Sequence, residues 1–161
     1  MVDIQTVSIA VASSGVFIAA IYYILQIRHQ AKQRQTDMVM RLYATFASTD
    51  FQKAYQKVAS IEFEDFADFR KKYVADIEVR AAMYSVVIFF EGIGVLAKRK
   101  LIHMDLVDDL FDNPTSQTWE KLAPVVKGMR ELQKSPSVGV WFEYLYNEME
   151  KREQRQASKT A

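Results

Sequence analysis

The sequence contains no cysteine, and this absence excludes several kinds of site at once. Without a thiol the chain can form no disulfide, zinc ribbon or iron–sulfur cluster, and it cannot use a cysteine nucleophile. Histidine is nearly absent too. His29 and His103 are the two histidines, and neither has a Glu or His three or four residues later, as a helical zinc or di-iron motif requires. We therefore expect no metal and no cofactor.

Glycine and proline are also scarce, at five and three residues. Gly92 and Gly94 do not form a phosphate-binding loop, because they follow no strand and no GK[ST] ending occurs. A G-x-S-x-G turn for a catalytic serine is missing as well. No side-chain arrangement indicates a catalytic site, so we predict that the protein is not an enzyme.

Charge is missing from residues 4–27, between Asp3 and Arg28. As a helix these residues would reach about 36 Å, which exceeds the roughly 30 Å of a bilayer's hydrocarbon core. The segment therefore predicts a transmembrane helix. A cleaved signal peptide is the alternative, but it would need a basic start and a shorter apolar stretch, whereas the chain starts Met-Val-Asp.

The residues around the end of this span predict its direction. Three basic residues follow the span in a predicted juxtamembrane helix, residues 28–37: Arg28, Lys32 and Arg34. By the positive-inside rule the C-terminal side then lies in the cytosol and the N-terminus outside the inner membrane. Tyr22 and Tyr23 would lie at headgroup level, about one turn before Arg28. The basic residues set the topology, and contact with anionic lipid is a second possibility.

Four small residues with 4-3-4 spacing would share one face of the span: Ser8, Ala12, Gly15 and Ala19. Small residues let helices approach closely in lipid, where no hydrophobic gain drives association. The stripe predicts packing against another membrane protein or a second copy of the chain. The alternative is that a moderately apolar anchor carries these residues by chance.

From residue 38 to residue 152 apolar residues recur at helical spacing, and residues 153–161 form a polar tail. The predicted fold class is all-α, with one N-terminal transmembrane helix followed by a small cytosolic helical bundle. Asn113-Pro114 and Ser135-Pro136 are expected to end helices.

The longest helix of the bundle is predicted over residues 76–100. Its expected inward residues follow helical spacing: Ile77, Ala81, Tyr84, Val87, Ile88 and Val95. Residues 84–97 contain one charge, Glu91, but would reach only about 21 Å as a helix. A buried bundle helix is therefore favoured over a second membrane span.

Glu91 is the residue that most needs an explanation, because apolar residues surround it in the sequence. A charge in such a place requires a partner, and Arg41 and Arg130 are the best candidates because each lies beside an apolar stripe. We interpret Glu91 as half of a structural ion pair. The alternative is a general acid or base with a raised pKa, but no nucleophile or second carboxylate lies at helical spacing from it.

Two other charged groups are interpreted as surface features. Four aspartates cluster on one side of a helix without the EF-hand pattern, and we read them as a solvated acidic face that could dock a basic partner: Asp105, Asp108, Asp109 and Asp112. Residues 69–73 interleave basic and aromatic residues, but the net charge is only +1, and nucleic acid is not a predicted partner.

A resemblance rests on residues 89–102, Phe-Phe-Glu-Gly-Ile-Gly-Val-Leu-Ala-Lys-Arg-Lys-Leu-Ile, together with Trp119 and the later Gly128-Met129-Arg130. In these features the chain resembles a family of small prokaryotic single-pass membrane-anchored helical proteins of unknown function. The resemblance covers most of the chain after the span, and it implies no activity.

Two functions are compatible with these features. The first is a membrane-anchored accessory or scaffold protein that acts by protein–protein interaction, with the lipid bilayer and other membrane proteins as partners. The alternative is a membrane-tethered regulator whose helical domain senses a ligand or partner, around Glu91.

Overall fold

The computed structural model describes residues 3–160, and inside helices it leaves out the side chains of residues 6–12, 159 and 160. Over residues 3–160 the chain forms six α-helices and no strand. The helices are α1 (Ile4–Phe46), α2 (Thr49–Ser60), α3 (Phe66–Tyr73), α4 (Ile77–Lys98), α5 (Met104–Gln133) and α6 (Val140–Thr160). The predicted all-α class is confirmed.

The chain divides into two units, Met1–Asp37 and Met38–Ala161. The first unit consists of the N-terminal part of α1. Its large apolar side chains from Val16 to Ile27 are each between 53% and 71% exposed. These side chains point in every direction around the helix, because they include runs of adjacent residues.

The second unit is a helical bundle in which three helix starts carry local caps. Ser48, Asp65 and Asp76 stand immediately before α2, α3 and α4, and each accepts a hydrogen bond from a backbone N–H of the first turn. The Asp65 and Asp76 bonds measure 2.8 and 3.0 Å. Such caps satisfy donors that have no partner inside the helix.

The core of this bundle is built around α4, which contacts α2, α3 and α6. Phe90 of α4 is fully buried and stacks on Phe142 of α6 with ring centroids 4.8 Å apart. Trp119 of α5 meets the same Phe142 edge-on at 5.0 Å. These rings join three helices in one apolar core.

The expected inward face of α4 was wrong at four positions. Ile77, Tyr84 and Ile88 are 73%, 45% and 66% exposed, and Ala81 is exposed as well. The buried face is formed instead by Val79, Ala82, Met83, Val86, Phe90, Ile93 and Gly94. Because α4 is apolar on every side, spacing alone does not distinguish the face that packs from the face that does not.

Among the described residues, α4 is the one helix long and apolar enough to cross a membrane by length and composition. Of the most apolar stretch of α4, a share of 39% is buried inside the protein, and a bundle's core helix can have the same composition. The predicted anchor, residues 4–27, includes residues 6–12, whose side chains lie outside the described part of the chain.

The prediction that Asn113-Pro114 ends a helix was wrong, because α5 continues through both Pro114 and Pro124. Phe111 before Pro114 and Trp119 after it are both buried in the core, and this packing offsets the lost backbone hydrogen bond. Helix α5 ends before Ser135-Pro136, as expected. Its C-cap, Lys134, is left-handed with φ 50°. The predicted polar tail is helical as far as Thr160.

Candidate functional site

The side chain of Glu91 lies where α4 meets the start of α6. Its Oε2 accepts a hydrogen bond from the backbone N–H of Trp141 at 2.7 Å and one from Phe142 at 3.0 Å. The first N–H groups of a helix have no partner inside it, and they carry the positive end of the helix dipole. Glu91 therefore supplies, from another helix, the acceptor and the negative charge that the start of α6 requires.

Two opposing effects act on the pKa of Glu91. Burial raises this pKa above its ordinary value, because the charged form loses water. The backbone hydrogen bonds from Trp141, Phe142 and Gly139 and the positive charge of Arg130 act in the opposite direction. The effect of burial is the larger one, so the pKa of this carboxyl is raised.

The arginine pairing expected for Glu91 is replaced by the backbone of α6. Arg130 donates from Nε to the carbonyl of Val138 at 2.6 Å and from Nη1 to Oε2 of Glu143 at 2.7 Å. Its charge acts on Glu91 only from a distance, and Arg41 is exposed. The N–H groups at a helix start can stabilise a carboxylate as well as a guanidinium does. With them as partners, no second charge has to be buried beside the carboxylate.

Two glycines allow the start of α6 to lie so close to its neighbours. A Cβ at Gly94 of α4 would collide with the backbone carbonyl of Trp141. Gly139, directly before α6, has a φ of +67°, and a Cβ there would strike the side chain of Val126. The close approach brings the N–H groups of Trp141 and Phe142 within reach of Glu91.

This arrangement supports a structural role for Glu91. The carboxylate of Glu91 is engaged by two backbone donors rather than directed at a free space. Over the described residues no cluster of three or more His, Asp or Glu side chains is placed to hold a metal ion. The site therefore fixes the position of α6 against α4.

The acidic cluster on α5 is partly paired with α6. Arg152 binds Oδ1 of Asp105 at 2.7 Å and lies 4.0 Å from Oδ2 of Asp108. Burial raises the pKa of Asp108, while the charge of Arg152 lowers it and the neighbouring aspartates raise it further. This face thus contributes to the contact between α5 and α6 as well as facing solvent.

The residues predicted for the membrane lie along α1. Gly15 and Ala19 are exposed, and a Cβ at Gly15 would meet nothing. The side chains of the other two members of the stripe, Ser8 and Ala12, lie outside the described residues. The five predicted interface residues are all exposed: Tyr22, Tyr23, Arg28, Lys32 and Arg34.

Sequence reasoning missed one feature of the bundle surface, the exposed apolar face of α4. Ile77, Tyr84 and Ile88 lie on it, and Val74 and Leu132 are also large, apolar and exposed. The signal that could have found it is composition. With one charge, Glu91, between Arg80 and Lys98, α4 has more apolar surface than a single buried face accounts for.

The chain matches one protein-family model over residues 9–149, that of a domain of unknown function, DUF4760. No curated protein and no solved structure matches the chain.

Proposed function

Since this chain belongs to the DUF4760 family of domains of unknown function, we propose a role for it from its own residues: a membrane-anchored, non-catalytic scaffold. Residues 4–27 cross the inner membrane once, with the N-terminus outside. The helical bundle from residue 38 onward lies in the cytosol and binds other proteins.

One observation carries this proposal: a run of large apolar side chains, exposed on all sides of α1. From Val16 to Ile27 none of them is less than 53% exposed. A helix that is apolar all round needs an apolar environment, either a protein core or lipid. Such a run exposed to water would be a severe liability, and a bilayer removes it.

The charges after this run support the orientation. Arg28, Lys32 and Arg34 are exposed on α1 directly after the uncharged segment, while Asp3 is the charge on its other side. Basic residues are retained on the cytosolic side of a membrane. The bundle, which follows them in the chain, would then face the cytosol.

The role of Glu91 supports the proposal of a scaffold rather than an enzyme. Its carboxylate holds the start of α6, which is a structural task. The small-residue stripe offers a packing surface inside the bilayer to a partner helix or a second copy.

Membrane association is tested by extracting membranes from cells that express the full chain. We expect the protein to stay in the pellet in carbonate and in urea, and to be released by detergent. Release into the soluble fraction by carbonate would overturn the anchor.

The interaction role is tested by isolating the tagged chain in mild detergent and identifying what co-migrates with it. Gly15→Leu and Ala19→Leu should abolish co-migration, because a large side chain keeps a partner helix away. Phe17→Leu, on the opposite side of the same helix, is the matched control and should leave it unchanged. Equal co-migration for all variants would contradict the role of the stripe.

A regulator whose helical domain senses a ligand or partner is the second candidate; the half-buried carboxyl of Glu91, at the contact between α4 and α6 and with a raised pKa, favours it. Its test is Glu91→Gln, which would abolish partner capture while the thermal stability stays intact. Unchanged capture by this variant would exclude Glu91 as the sensor.

A further inference from the structure

The exposed apolar face of α4 opens into a groove formed by α3, α4 and α5. The groove has a volume of about 160 Å³, and Tyr84 lies both on its wall and on the exposed face of α4. Other apolar residues of its lining include Phe66, Met83, Met129 and Leu132. Met129, which is half-buried, has a flexible, polarizable side chain that can adapt to the shape of a partner, whereas Met83 is buried in the core.

The charges of this groove have one sign. Arg70 of α3 and Arg80 of α4 both line it, and both are exposed. Arg80 donates to the backbone carbonyl of Val74 at 3.0 Å, and the guanidinium of Arg70 lies 5.9 Å from the ring centre of Phe66. Over the described residues neither arginine forms an ion pair with a carboxylate of the chain.

The length of the apolar surface indicates the shape of its partner. Ile77, Tyr84 and Ile88 lie at i, i+7 and i+11 on α4, which puts the first and last about 16 Å apart along the helix axis. This length equals about three turns of a second helix. A helix that lies in a groove is a common mode of peptide recognition, read through apolar residues at such spacings.

We infer that this surface, the groove together with Ile77, Tyr84 and Ile88, binds an amphipathic helix of a partner protein whose flanks are acidic. The partner's apolar side chains enter between Tyr84 and Leu132, and its carboxylates pair with Arg70 and Arg80. The inference deepens the proposed scaffold role, on which it rests, by giving the surface and the chemistry of the partner.

A bilayer or a second copy of the chain would fit this surface less well. A flat membrane meets protruding residues, whereas the floor of this groove is recessed between three helices. A second copy would have to place an acidic apolar helix here, but the aspartates Asp105 and Asp108 of α5 already lie near Arg152. An acidic helix from another protein satisfies the shape and the charge together.

The test uses the full chain in zwitterionic nanodiscs and two synthetic helical peptides. Both peptides carry leucines along one face; one has glutamates on its flanks and the other has lysines in their place. We expect the glutamate peptide to bind and the lysine peptide to bind at least about tenfold more weakly, the factor that one charge-assisted pair provides.

Two variants assign the binding to this surface. Arg70→Glu with Arg80→Glu should reverse the preference between the peptides, and the exposed Arg155→Glu is the matched control that should not. Ile88→Asp should weaken binding of the glutamate peptide at least about tenfold, whereas Met40→Asp, at a similarly exposed apolar position of another helix, should leave it unchanged.

Several outcomes would overturn the inference. They are equal binding of the two peptides, no binding of either, or no effect of the arginine reversal. Dimers of the chain that Ile88→Asp dissociates would assign the surface to a second copy instead. Glutamate-peptide binding that is present in zwitterionic nanodiscs and lost in anionic ones, at a salt concentration that screens repulsion between peptide and lipid, would assign it to the bilayer. Peptide binding is read separately from carbonate extraction, so failure of the anchor and failure of the groove are distinguishable.

Discussion

The carboxylate of Glu91 lies 2.7 Å from the backbone nitrogen of Trp141, fifty residues later in the chain. An acceptor at a helix start usually belongs to the residue just before the helix, where its side chain is already close. Here Glu91, about two turns before the end of α4, fulfils that role for α6. The bond therefore ties the position of α6 to that of α4, a contact that only the folded chain can form.

Removing this acceptor should destabilise the protein more than removing its charge. Glu91→Leu leaves two N–H groups of α6 without an acceptor, and we expect a loss of about 1–3 kcal/mol. Glu91→Gln keeps an oxygen in the same place, so its free energy of unfolding should stay within about 1 kcal/mol of the wild type. Chemical denaturation of the full chain in detergent measures both. Equal losses would show that the charge, not the hydrogen bonds, holds α6.

The raised pKa of Glu91 predicts how stability depends on pH. The folded state holds this proton more tightly than the unfolded state, whose carboxyl titrates near the ordinary value of 4.5. Stability from this group is therefore greatest below pH 4.5 and falls as the pH rises through the folded pKa.

The measurement is a set of denaturation curves at different pH values for the wild type and Glu91→Gln. The free energy of unfolding of the wild type minus that of the variant should decrease as the pH rises from 4.5 through the folded pKa of Glu91. Asp108, whose pKa is also raised, titrates in both proteins and cancels. A difference that increases with pH would mean that the helix start stabilises the ionised form more than burial disfavours it.

The two glycines of α4 should respond oppositely to the same substitution. Gly94→Ala places a Cβ against the carbonyl of Trp141, and such overpacking costs about 1–3 kcal/mol. Gly92→Ala, half a turn away, meets nothing within 4 Å and should gain up to about 1 kcal/mol from better helix propensity. Thermal denaturation of the two variants side by side checks this. A harmless Gly94→Ala would mean that α6 can move away from α4 without cost.

The helical class and the importance of Glu91 could be predicted from the sequence, whereas its partner could not. Periodicity reports that residues are helical, and a lone charge in an apolar run indicates that it needs compensation. Which group compensates depends on the tertiary arrangement. Arginines can be identified in the sequence, but the N–H groups available at the start of α6 belong to the backbone, and no residue type indicates them.

The faces of α4 and the course of α5 show the same limit. Ile77 and Ile88 fit a helical stripe as well as Phe90 and Ile93 do, and only the positions of the neighbouring helices decide between them. Pro114 lowers the stability of a helix locally, but core packing on both sides of it outweighs this preference.

Substitution of Arg130 should lower the free energy of unfolding more than substitution of its ion-pair partner, Glu143. Arg130→Met removes the bonds to both Glu143 and the carbonyl of Val138. Glu143→Gln leaves the bond to Val138 in place and removes only the negative charge of the bond to Arg130. We expect losses of about 1–3 kcal/mol for the first and less than about 1 kcal/mol for the second. The double variant, measured by denaturation, should lose no more than Arg130→Met alone. Additive losses would show that the pair does not act as a unit.

The orientation of the chain can be tested sharply because it has no cysteine of its own. A single thiol introduced by Asp3→Cys should react with a membrane-impermeant maleimide in cells whose outer barrier is permeabilised, and Arg155→Cys should react only after the inner membrane is opened. The physical cause is retention of Arg28, Lys32 and Arg34 on the cytosolic side.

Exchanging these charges should therefore weaken or invert the orientation. A chain with Asp3→Lys and with glutamate at the three basic positions should let the Arg155→Cys thiol react when only the outer barrier is permeabilised. Exchange of Lys53 and Lys57, which lie far along the chain from the uncharged segment, is the control that should keep this thiol protected, since the rule acts near the ends of a span. A thiol at position 155 that labels from outside in the unaltered background would place the bundle on the opposite side of the membrane.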